Sequence, residues 1–120
     1  MFGFEKLEVW QKAIELADLI YDATRNFPDY EKFGFANQMR RAAVSVSSNI
    51  AEGSGRNSER DFIRFLQISY GSLMEVVSQL KIAEKRGFIE PQNAQRIYDL
   101  CEQTSRMLSG LRSSLERKVQ

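Results

Sequence analysis

The chain has 120 residues, 42% hydrophobic and 28% charged, a balance that excludes a disordered polymer and supplies apolar area for one folded domain spanning 1–120. With a single cysteine, Cys101, and no histidine, it can form no intrachain disulfide, no Ser-His or Cys-His pair and no histidine-bearing metal site, and nothing in it calls for a cofactor. The net charge of +1 excludes a strongly basic chain but is unevenly spread, residues 1–33 carrying −3 and residues 34–65 and 66–120 carrying +2 each.

The first helix is expected over about 7–26, because Leu7, Trp10, Ile14, Ala17, Tyr21 and Thr24 recur at steps of three and four. That stripe is assigned to the core. A second set, Val9, Ala13, Leu16 and Ile20, runs beside it and makes the apolar arc wide. Pro28 closes the helix, since the residue before a proline avoids the α region. The second helix, about 35–52, carries Phe35, Met39, Ala42, Val46 and Ile50 on one face and small residues elsewhere, which let a neighbour approach closely. Gly53 and Gly55 are read as its stop signal, supplying backbone freedom.

Ser58 followed by Asp61 three residues later resembles a capping box, so a third helix is placed at 58–86. Its heptad-spaced stripe runs Phe62, Leu66, Ser69, Leu73, Val76, Leu80 and Ala83. Pro91 suits the first position of a fourth helix, 91–118, striped by Ala94, Ile97, Cys101, Thr104, Leu108, Leu111 and Leu115. No segment alternates with a period of two. Short connections then favour an all-α fold, an up-down-up-down antiparallel four-helix bundle. No run of 18 apolar residues and no charged-then-apolar leader occurs, so a cytoplasmic protein with no membrane contact is expected.

Catalysis is not expected. Glu52 and Asp61 flank the Gly53–Gly55 turn, where capping or ion pairing accounts for them. Cys101 lies on a core stripe and reads as a small hydrophobe, and Trp10 and the eight phenylalanines read as core. The turn itself, with Asn49, Glu52, Gly53, Gly55 and Ser58, admits two readings: a loop whose polar side chains satisfy backbone donors, or an anion site completed by Arg56. Arg40, Arg41, Arg56, Arg60 and Arg64 lie on both sides of it, and arginine outnumbers lysine eleven to six, a bias suited to bidentate phosphate contact. A solvated face with local ion pairs is the competing account. Surplus apolar positions such as Val9, Leu16, Leu19, Ile63, Leu100 and Met107 point to self-association.

Four ordered blocks carry a family resemblance: Phe4 to Ala13, Gln38-Met39-Arg40-Arg41-Ala42-Ala43, Ser48 to Arg56, and Gly71-Ser72-Leu73-Met74-Glu75. Together they span nearly the whole chain and resemble the four-helix-bundle proteins encoded in intervening sequences of bacterial 23S rRNA genes. The resemblance implies a homopentamer. It also implies a more distant similarity to the accessory variability determinant proteins of diversity-generating retroelements, which bind a reverse transcriptase and nucleic acid. It supplies no catalytic residue. The expectation is a non-catalytic homo-oligomeric scaffold that binds RNA or a nucleic-acid enzyme through Arg40, Arg41, Arg56, Arg60 and Arg64; the alternative is a protein–protein adaptor without nucleic-acid binding.

Overall fold

In the computed structural model, which describes residues 1–120, four long helices carry the chain: α1 (Glu8–Thr24), α2 (Phe35–Ser54), α3 (Glu59–Lys85) and α4 (Pro91–Lys118). Short 3-10 turns at Gly3–Lys6 and Asp29–Glu31 precede α1 and α2. Local chemistry sets most of the boundaries. Ser58 Oγ accepts from the Asp61 amide at 3.1 Å and caps α3. At its other end Gly87 adopts φ +76, and the amides of Phe88 and Gly87 donate to the Ala83 and Glu84 carbonyls at 2.8 and 3.0 Å. This six-to-one, five-to-two pair needs a left-handed residue that only glycine adopts cheaply. Pro91 then opens α4, where its missing N–H costs nothing. No helix is long and apolar enough to cross a membrane.

Each helix packs on its neighbours in the chain and α1 packs on α4, which closes the bundle around one cluster of 24 buried apolar residues. On α3 and α4 the buried residues follow the expected stripes, from Leu66 to Ala83 and from Ala94 to Leu115. On α1 they do not. Val9, Ala13, Leu16, Ile20 and Ala23 form its buried line; of the stripe assigned to the core only Thr24 is buried, Leu7, Trp10 and Ala17 are half-buried, and Ile14 and Tyr21 remain 41% and 45% exposed, so most of that stripe is the rim. Two apolar stripes about 100° apart cannot both face the bundle axis, and packing against α2 and α4 selected the one with Leu16 and Ile20.

The tightest seam joins α2 to α3. Ser69 Oγ donates to the Val46 carbonyl at 2.7 Å, the Ser45 and Ser72 hydroxyls meet at 2.8 Å, and a Cβ added to Gly53 would stand 2.6 Å from Phe65 Cβ. Rising numbers on α2 meet falling numbers on α3, so this pair runs antiparallel. The small residues of α2 therefore serve close approach.

Candidate nucleic-acid interface

At the end of the bundle where α2 gives way to α3, Arg56 and Arg64 converge on one aromatic ring. Their guanidinium carbons stand 4.7 and 4.9 Å from the centroid of Phe65, whose side chain is otherwise buried against Gly53. Each also meets an exposed carboxylate, Arg56 with Glu52 at 3.4 Å and Arg64 with Asp61 at 3.6 Å. Exposed pairs of this kind hold at most about 1 kcal/mol, and exposed cation–π contacts about as much, so each guanidinium is shared between the ring and a carboxylate that competes only weakly with other anions. Arg60, between them in sequence, is exposed and makes neither contact.

Arg40 and Arg41 do not join this group. They sit roughly 20 Å away along α2, at 1.5 Å per residue. Arg40 is a structural clamp: its Nε donates to Thr24 Oγ1 at 2.8 Å and its guanidinium lies 5.0 Å from the Tyr21 centroid. Thr24 is buried and itself donates to the Ile20 carbonyl at 2.7 Å, so the chain of bonds ties α2 to the last turn of α1. Arg40→Ala is expected to lower stability by about 1–2 kcal/mol, and Arg40→Lys to recover little of it because a lysine lacks the Nε that reaches Thr24 while the guanidinium lies over Tyr21. Urea denaturation checks this; an unchanged midpoint in both variants would remove the clamp. Arg41 is exposed beside Gln38, Ser45 and Ser72 in the groove between α2 and α3.

Several turn assignments change. Asn49, Glu52 and Gly53 lie inside α2, which runs to Ser54, and Asn49 donates back to the Ser45 carbonyl at 2.8 Å without reaching the turn. Gly53 is present for space, between the rings of Phe62 and Phe65, and Gly55 ends the helix at φ −87, so neither glycine uses backbone freedom there. Ser58 alone caps. Phenylalanine is also not uniformly core: Phe2 is 74% and Phe33 88% exposed. Cys101 is buried, and that burial raises its thiol pKa to about 12, so at neutral pH it carries its proton.

The sequence reading missed Phe65 as a platform. Its only local signal was the adjacent Arg64; contact with Arg56 required the turn to fold back. The largest surface cleft, between the end of α1 and the start of α4, has Asp22, Glu90 and Arg96 on its walls and holds none of the five arginines.

Residues 5–110 match the family described as 23S rRNA-intervening sequence protein. Among solved structures, a protein of unknown function from the S23 ribosomal protein family of Bacteroides thetaiotaomicron VPI-5482 is similar in fold. It shares 23% identity with a TM-score of 0.81, over 88% of this chain and 95% of that one. No curated protein matches the chain.

Proposed function

The chain belongs to the 23S rRNA-intervening sequence protein family, and from that premise we propose that it is a non-catalytic homopentameric scaffold that binds structured RNA through the Arg56, Arg60 and Arg64 end of the bundle. The observation that carries the reading is the pair of guanidinium groups held on Phe65 beside an unpaired Arg60, all on an exposed edge. The ring contacts hold two of the three cations in place before a ligand arrives, which reduces the entropy lost on binding. One such edge is weak. Repeated around an assembly it gains avidity for a polyanion long enough to span several copies.

Filter binding of a structured RNA across a salt series tests this. Affinity is expected to fall with a log–log slope of about −0.7 to −0.9 per phosphate neutralised, and Arg60→Glu with Arg64→Glu to weaken binding by tenfold or more (on the order of two phosphate contacts). Absent or salt-independent binding overturns the RNA reading and favours the adaptor, whose partners would survive nuclease treatment in a pull-down. Light scattering tests the assembly separately: five copies of the 13.9 kDa protomer are expected.

A further inference from the structure

Arg41 is the one of the five arginines that neither clamps α1 nor joins the edge around Phe65. It lies in the groove between α2 and α3, which is built almost wholly of polar side chains. Ser45 meets Ser72 and Val46 meets Ser69, so on these antiparallel helices Arg41 stands opposite Glu75 and Gln38 opposite Gln79. Gln38, Arg41 and Ser45 form one wall of a groove of about 450 Å³, and Ser72 and Glu75 form the other. One end is closed by the paired serine hydroxyls, with Asn49 Nδ2 donating to Ser45 Oγ at 3.0 Å.

The two charges on these walls are unspent. Neither Arg41 nor Glu75 has an opposite charge within 4.0 Å, in each other or elsewhere. Gln79, only 7% exposed, donates its amide to Glu75 Oε2 at 3.3 Å and leaves its own Oε1 without a partner. An unpaired buried carbonyl costs about 1–3 kcal/mol. What the chain gets for it is a carboxylate held at the groove, which makes Gln79 a positioning residue.

One guanidinium and one carboxylate on facing walls leave the groove with no net charge. A bare phosphate or carboxylate would be repelled by Glu75 as much as it is drawn to Arg41. The pair fits an uncharged group that has two donors along one edge and two acceptors along the next. Among the RNA bases guanine has that pattern: N1–H and N2–H match the two oxygens of a carboxylate, and O6 and N7 match the fork of an arginine. Adenine and cytosine each bring one amino group, and uracil one N–H.

We propose that this groove binds an unpaired guanine base, its N1–H and N2–H on Glu75 and its O6 and N7 on Arg41. The inference rests on the RNA reading above for the source of the base. It adds base recognition to an arginine edge that recognises phosphate alone. In a duplex the N1–H and N2–H edge is engaged by cytosine, so the base must come from a loop, bulge or end. A free guanine nucleotide presents the same edges.

The experiment is calorimetric titration of the full chain with GMP, AMP, CMP and UMP, and with two RNA hairpins that differ in whether one guanine is unpaired or paired with cytosine. Circular dichroism confirms helix content in each variant. GMP is expected to bind at least about tenfold more tightly than the other three nucleotides. Glu75→Gln and Arg41→Ala, both at exposed positions, should each remove most of that preference. Gln79→Leu should reduce the preference without lowering the urea midpoint, a split that a merely structural role does not give. Equal affinity for the four nucleotides, or a preference that survives both Glu75→Gln and Arg41→Ala, overturns the site. Tighter binding of the hairpin with the unpaired guanine, lost in the same variants, assigns the base to RNA; a GMP preference with no difference between the hairpins assigns it to a free nucleotide. RNA binding without preference for guanine sinks this site and leaves the arginine edge standing. A guanine preference without RNA binding sinks the RNA reading and leaves the site.

Discussion

Replacing Gly53 by valine is expected to cost about 3 kcal/mol and to lower the melting temperature by roughly 10 °C, because the position is buried in the seam between α2 and α3. The cost is steric. A Cβ at this position would stand 2.6 Å from Phe65 Cβ and 2.9 Å from Phe62 Cδ1, and the first of these atoms is bonded directly to the α3 backbone. The Phe62 ring can turn aside, but Phe65 Cβ is fixed to its backbone, so α2 and α3 must separate near their shared turn. Alanine at the same position gains about 1 kcal/mol of helix propensity and meets the same clash, so a smaller net loss is expected. Thermal melts followed by circular dichroism decide the matter, and a Gly53→Ala protein more stable than wild type would mean the seam yields. Because Phe65 also carries Arg56 and Arg64, a seam that opens should displace both guanidinium groups and weaken the proposed RNA binding too.

A second large effect is expected at high pH. Burial raises the Cys101 thiol from 9.0 to about 12 in the folded protein. In the unfolded chain the thiol ionises near its ordinary value, so between pH 9.0 and about 12 the unfolded state binds fewer protons than the folded one. Stability contributed by the protonated, buried thiol is full below pH 9.0 and falls as pH rises through that window, by about 1.4 kcal/mol per pH unit at most. Lysines and tyrosines titrate in the same range, so the measurement is the difference between wild type and Cys101→Ala in urea melts at several pH values. The alanine protein starts lower, because it leaves a small cavity, and its deficit should shrink as pH rises. Parallel curves would show that the thiol ionises alike in both states. The same burial predicts that thiol reagents label the native protein on the timescale of unfolding, which also makes Cys101 unsuited to a nucleophile's role.

The arginines show where sequence reasoning reaches and where it stops. The bias toward arginine and its concentration between Arg40 and Arg64 were legible, because composition and position need no coordinates. Their separation into a clamp and an edge was not. Arg40 and Arg41 are adjacent in the chain, yet only Arg40 is drawn between Thr24 and Tyr21, because consecutive helical positions point about 100° apart and one of them meets α1. Arg56 and Arg64 are eight residues apart and share a ring because α2 and α3 fold back on one another at the turn. An anion site at that turn loses part of its basis, since Asn49, Glu52 and Gly53 are helical and only Ser58 caps.

For the fold the same division holds. The number and extent of the helices, the Ser58 cap, the Gly87 terminus and Pro91 at the start of α4 follow from interactions within one or two turns, which the sequence by itself determines. The buried face of α4 follows too, and on α3 the heptad line is the buried one while the adjoining Ile63, Tyr70 and Val77 are half-buried beside it. On α1, where two stripes compete, and at Gly53, where the reason for glycine is a ring on another helix, only the tertiary structure decided. Local patterns measure how apolar a face is, whereas burial depends on which face a distant part of the chain comes to cover.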